Sequence, residues 1–116
     1  MDVKALSDEL DRMIGEGKIL EAFDRFYADE VVMQDNETPP RMGKAASRAY
    51  EEQFVAAVKE FHGAELRATA ATGDVSVAEW FFDFTLQDGT RVRRTQVAIR
   101  RWKDGKVVHE KFYYGS

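Results

Sequence analysis

Cysteine is absent from this 116-residue chain, which excludes disulfides, thiolate nucleophiles and zinc or iron–sulfur sites built on cysteine. Histidine occurs only as His62 and His109, too few and too widely spaced for a histidine-rich metal centre, so no metal and no cofactor are expected. No apolar run approaches the ~20 residues that cross a bilayer. The opening MDVKALSDEL also lacks a basic flank followed by an apolar signal segment. The expectation is therefore a cytoplasmic protein with no membrane partner. The segment GEGK lacks the extended glycine pattern and terminal Lys-Ser or Lys-Thr of a phosphate cradle. Positive charge is also short: 17 Lys and Arg against 21 Asp and Glu give a net charge of -4, which opposes nonspecific attraction to nucleic acid.

What is present is a chain of 44% hydrophobic and 33% charged residues, enough for one domain over residues 1–116 with a modest cavity in its core. Residues 4–28 read as helical because Leu6, Leu10, Met13 and Ile14, then Ile19, Phe23, Phe26 and Tyr27, recur three or four apart. Gly15 and Gly17 favour two helices over one long one. A short strand at 30–35 follows, then a loop at 36–43 in which Pro39 and Pro40 remove two backbone donors. Helix returns at 44–61, with Ala46, Tyr50, Phe54, Val58 and Phe61 at helical spacing. From residue 64 the period changes to two, and three strands with the turns TGD, QDGT and KDGK account for the rest. The order is α+β, helices first and an antiparallel meander after.

Placing Gly89 and Gly105 at the left-handed position of three-residue turns pairs Leu86 with Thr90 and Trp102 with Lys106. Trp80 then faces Gln96, Ala78 faces Ala98, Phe82 faces Arg94, Ala98 faces Glu110, Arg100 faces Val108 and Gln96 faces Phe112. A two-residue turn at Asp104–Gly105 would instead bring His109 and Lys111 to the face of Ala98. The inner face carries Trp80, Phe82, Phe84, Val92, Val108, Phe112 and Tyr114, interrupted by Arg94, Gln96, Arg100 and Glu110. Polar groups at such positions cost free energy unless paired, so they point to a polar-lined cavity or to strand ends that reach solvent. The cluster RVRR at 91–94 is split between two faces of one strand, with Arg91 and Arg93 outward, as is Arg101; nucleic acid is not an expected partner. Val97, Ile99, Val107 and Tyr113 form an outward apolar stripe suited to a homodimer.

The segment FYADEVVMQDNETPPRMGKAA at 26–46, with the helix, the long strands and GKVVHEKFYYG at 105–115, resembles the nuclear transport factor 2-like superfamily. Within it the ketosteroid isomerase and SnoaL-like polyketide cyclase branches are most similar, over nearly the whole chain. The resemblance implies a cone-shaped, cystatin-like α+β fold. In it the N-terminal helices pack on a strongly bent, mainly antiparallel sheet that encloses a pocket, commonly dimeric through the sheet's outer face. It implies a cofactor-independent isomerase, cyclase or dehydratase acting on a small apolar or polar-tipped carbonyl compound; the alternative is a non-catalytic ligand-binding or dimeric interaction domain.

The resemblance also assigns residues. Asp35 stands where the isomerases carry their general base at the end of the first strand; read without it, Asp35 is a solvated carboxylate or a cap for loop donors. The family's oxyanion tyrosine falls at Leu10 or Asp11, and its neutral acid at Ala98, so both donors are missing. Glu110 is a second candidate acid, or the partner of Arg94 or Arg100 in a structural ion pair. Those two arginines are candidates for an anionic substituent of the ligand. Gln96 is a candidate donor to a carbonyl. Tyr50, Phe54, Trp80, Phe82, Phe112 and Tyr114 form an aromatic mouth or simply core, and the Tyr50 hydroxyl is the nearest substitute for the missing tyrosine.

Overall fold

Asp2 begins the first helix, its side chain accepting from the Ala5 backbone N–H at 3.0 Å. This computed structural model describes residues 2–115. Helix α1 (Val3–Gly15) buries Val3, Ser7, Leu10, Asp11 and Met13 along one stripe. It stops where Gly17 turns into the left-handed region (φ 81°). Helix α2 (Ile19–Phe26) buries Ala22, Phe23 and Phe26, so the break into two helices holds, but the helical reading to residue 28 runs two residues too far: Tyr27 and Ala28 are already extended in the first strand. Strand β1 (Tyr27–Asp35) is followed by the two-residue β2 (Arg41–Met42), kept short beside Pro39 and Pro40. Among the described residues, no helix is long and apolar enough to cross a membrane.

Helix α3 (Lys44–Ala57) ends four residues earlier than its apolar spacing predicts, because Val58 turns extended and begins β3 (Val58–Thr72). There Phe61 pairs with Phe84 of β4 (Val75–Leu86). The end is sealed from the other side: Gln87 donates its backbone N–H to the Ala57 carbonyl at 2.9 Å. The early part of β3 escapes a period-two reading because its register slips at three places before Ala68. Strands β5 (Arg91–Lys103) and β6 (Lys106–Tyr114) complete the chain. The three turns thus separate four strands, not three.

The strands lie in the order β2-β1-β6-β5-β4-β3. The β1–β6 pair is parallel and the other pairs are antiparallel. This corrects the expected cone. The sheet is mixed and open, neither strongly curled nor closed. Its edges β2 and β3 do not meet, and a two-residue β2 cannot carry the ladder round. The helices pack on the sheet around a core of Leu10, Phe23, Phe26, Val31, Met33, Trp102 and Val107.

The β4–β5 register is as expected: Trp80 opposes Gln96, Ala78 opposes Ala98 and Phe82 opposes Arg94. Gly89 holds φ 88° in the connecting turn and Leu86 donates to the Thr90 carbonyl at 2.8 Å. The β5–β6 partners differ from the three-residue reading. Asp104 and Gly105 both have positive φ, 52° and 78°, the signature of a two-residue type I′ turn, and Lys103 pairs with Lys106. The register then slips between Val107 and His109 on β6. That extra residue undoes the face reversal a two-residue turn would impose. Glu110 and Phe112 therefore stay on the inner face but oppose Arg100 and Ala98, two positions from the expected partners, and Tyr114 opposes Gln96. Val107, expected on the outer stripe, is fully buried, while Val108 is only half-buried.

Candidate functional site

Between the helices and the inner sheet face lies a cavity of about 290 Å³. Asp35 reaches it from the end of β1, and Tyr50 and Phe54 from α3. Trp80 and Phe82 line it from β4, Arg94, Gln96 and Arg100 from β5. Glu110, Phe112 and Tyr114 complete it from β6. Leu10 and Ala98 line it as apolar wall. Trp80 and Phe82 stack with centroids 5.4 Å apart, and Phe54 meets Phe84 edge-on at 5.3 Å. These contacts give the cavity flat apolar walls.

Three donors converge on Asp35. Tyr114 donates its hydroxyl to Oδ2 at 2.7 Å and Tyr50 to the same oxygen at 3.1 Å, while Arg41 donates to Oδ1 at 3.1 Å. The Arg41 guanidinium lies 3.7 Å from the Tyr50 ring centroid, so cation and hydroxyl hold each other in place. Asn36 sets Tyr114. It adopts a left-handed φ of 49°, which asparagine tolerates. Its amide then accepts from the Tyr114 N–H and donates to the Tyr114 carbonyl, each at 3.0 Å. Burial, then the bond to Asp35, pushes the Tyr114 hydroxyl up to about 12, and burial likewise raises Tyr50. Both remain protonated donors at neutral pH.

Deeper lies a second cluster. Arg100, 1% exposed, donates from Nε to Glu110 Oε2 at 2.7 Å, and from one terminal nitrogen to Asp11 Oδ1 at 2.8 Å and Ser7 Oγ at 3.1 Å. Tyr27 donates to Glu110 Oε1 at 2.5 Å. Burial opposes the charge on Arg100, but Glu110, Tyr27 and Asp11 outweigh it and hold the guanidinium above its ordinary range. Burial, reinforced by Glu110, raises the Tyr27 hydroxyl. Burial raises Asp11 against the pull of Arg100. Among the described residues, Asp11 Oδ2 and the Trp80 indole N–H have no hydrogen-bond partner.

Asp11 and Tyr27 belong to this cluster although nothing at their own positions announces it. Tyr27 continues the apolar helical series of 4–28, and Asp11 occupies the slot where a tyrosine donor was sought. The signal was the Ser7–Asp11 pair, one helical turn apart on the buried stripe of α1. Glu51 was missed entirely. It lines the cavity from α3, half-buried. Burial, then the charge of Glu110, pushes it up to about 7, with Arg41 opposing.

A carboxyl pushed up to about 7 keeps its proton where a glutamate in the unfolded chain, titrating near 4.5, has lost it. Stability should fall as pH rises from about 5 to 8, by about 1–3 kcal/mol. Glu51→Gln should flatten that slope and leave the variant more stable than the wild type at pH 8. Urea titrations at several pH values read it directly, and a wild-type curve that rises over this range is the contrary result.

A SnoaL-like domain model matches residues 1–114. The chain belongs to the SnoaL-like family. No curated protein matches it. Among solved structures it is similar to a proposed SnoaL-like polyketide cyclase from Mesorhizobium loti, at 26% identity with TM-score 0.84, covering 98% of this chain and 100% of that one. A proposed isomerase from Bacillus subtilis, at 19% identity and TM-score 0.80, covers 99% of this chain and 90% of its own. AclR, a proposed hydroxylase from Streptomyces galilaeus, matches at 20% identity and TM-score 0.80, over 98% and 89%. The last two likenesses speak to the fold alone. The reaction must be argued from this SnoaL-like protein's own side chains. Among the described residues, no group of three or more His, Asp or Glu side chains is placed to hold a metal ion.

Proposed function

We propose that this SnoaL-like protein catalyses proton transfer on a small, largely apolar carbonyl compound, in an isomerisation, cyclisation or dehydration, with Asp35 as the base. The observation that carries this reading is the fixed Asp35 carboxylate on the wall of an aromatic cavity, held by Tyr50, Tyr114 and Arg41. Orientation of that kind lowers the barrier by removing the search for a productive geometry.

In the step envisaged, Asp35 removes a hydrogen next to the substrate carbonyl. The C–H bond breaks, an O–H bond forms on the carboxyl, and the electron pair moves onto the carbonyl oxygen. Glu110 is a poorer base because its side chain is 1% exposed and paired at 2.7 Å with an equally buried guanidinium, whereas Asp35 is 15% exposed and its ion pair is longer, at 3.1 Å. Leu10 and Ala98 offer the developing oxyanion nothing. The Gln96 amide is an uncommitted donor on the wall beside Arg94, and the Tyr50 hydroxyl is a further one once Asp35 takes up a proton.

The test is hydrogen exchange in D2O, followed by proton NMR, on cyclohexanone and cyclohex-3-enone. The wild-type protein should accelerate exchange beside the carbonyl at least about tenfold over an equal concentration of acetate. Exchange no faster than with acetate for either ketone would leave the cavity as a binding site without chemistry.

A further inference from the structure

Each of the ten arginines in this chain except Arg94 and Arg101 lies within ion-pair distance of a carboxylate. Arg101 is exposed to water, but Arg94 is half-buried and lines the cavity. Its Nε is buried and has no hydrogen-bond partner among the described residues. What holds the side chain is aromatic: its guanidinium carbon lies 4.2 Å from the Tyr114 ring centroid and 5.9 Å from that of Phe84. Two residues along the same face of β5, Gln96 also lines the cavity, and its side-chain amide makes no hydrogen bond among the described residues. A cation and an amide are thus left without partners side by side on an apolar wall, an arrangement that loses hydration unless a ligand supplies the acceptors.

We infer that the SnoaL-like cavity takes a small carboxylic acid whose ionised carboxylate docks on Arg94 and Gln96. The planar guanidinium presents paired N–H donors that match the two oxygens of a carboxylate. A single negative charge suits the site better than a phosphate dianion, because the Asp35 and Glu110 carboxylates already line the same cavity. The volume of about 290 Å³ is at the small end for ligand pockets, fit for one or two fused rings. The anchor also sets the register of the ligand. Tyr114 carries Arg94 over its ring and donates its hydroxyl to Asp35, so an acid held at Arg94 extends its neighbouring carbons along Tyr114 toward the base. Where this deepens the proposed function, it rests on that reading and makes the substrate an oxo acid; the binding claim stands apart from turnover.

The experiment compares 2-naphthoate with its neutral analogue 2-naphthamide by isothermal titration. Wild-type protein should prefer the acid at least about tenfold, the scale of one charge-assisted contact. Arg94→Gln should erase the preference, and Arg94→Lys, which keeps the charge without the fork, should retain only part of it. Asp35→Asn, which removes a negative charge from the same cavity, should keep the preference or raise it. That separates the outcomes: preference without hydrogen exchange overturns the proposed reaction and leaves the acid site standing, and exchange without preference does the reverse. No preference in the wild type, whether both probes bind equally or neither binds, or an unchanged preference in folded Arg94→Gln or Arg94→Lys, overturns the inference.

Discussion

Replacing Asp35 by Asn should lower the rate of hydrogen exchange on a bound ketone by about 10²–10⁴-fold, the usual contribution of a positioned base. The substitution changes little else. Asparagine has the same shape, and its amide oxygen can still accept from one of the tyrosines that now bond Oδ2 at 2.7 and 3.1 Å. The contact with Arg41 is the one that suffers, since an amide N–H₂ set against a guanidinium offers it no acceptor. That pair is only partly exposed, with 15% and 16% of the two side chains accessible, so stability should fall by about 1–2 kcal/mol. Near-ultraviolet circular dichroism should therefore remain native while exchange collapses. Exchange within threefold of the wild type would show that the base lies elsewhere in the cavity. Affinity for an unreactive ring ligand should stay within a few-fold, because the apolar walls that hold it come from α3, β4 and β6.

The inner face of β4 and β5 was legible because one glycine turn determines it. With Gly89 in the left-handed region, every partner from Leu86 back to Ala78 follows by counting. The same counting fails on β6, where a shorter turn and a register slip cancel in facing but not in pairing. Facing survives such an error and partnership does not. Glu110 was therefore placed on the correct face with the wrong neighbour, and its bond to Arg100 across the ladder was open rather than fixed. Glu51 shows another limit. It adjoins Glu52 in the sequence, and only the packing of α3 decides that Glu51 faces the cavity while Glu52 binds Arg48 at the surface. The cone failed for a third reason: resemblance carries the order of elements, whereas closure depends on edges, and here a two-residue β2 leaves the sheet open.

Arg100→Met should cost about 3–5 kcal/mol of folding stability, a large part of the 5–15 kcal/mol typical of a small protein. Among the described residues, the guanidinium is the only cation within hydrogen-bonding distance of the buried Asp11 and Glu110, both 1% exposed. Methionine fills similar space, so the loss is electrostatic rather than a cavity. Two carboxylates are left in a region where an unpaired charge is costly, and only the Tyr27 hydroxyl still donates to Glu110. If stranded charge is the cause, neutralising the acids should restore most of the loss. The triple variant Arg100→Met, Asp11→Asn, Glu110→Gln should recover more than half of it in urea denaturation. Low pH should narrow the gap between Arg100→Met and wild type, since protonation removes the same charge. A single variant within about 1 kcal/mol of wild type would mean that the two acids shed the stranded charge at little cost, by taking up protons or reaching water. A triple variant no better than the single one would instead assign the loss to the packing and hydrogen bonds that Arg100 makes with Ser7 on α1.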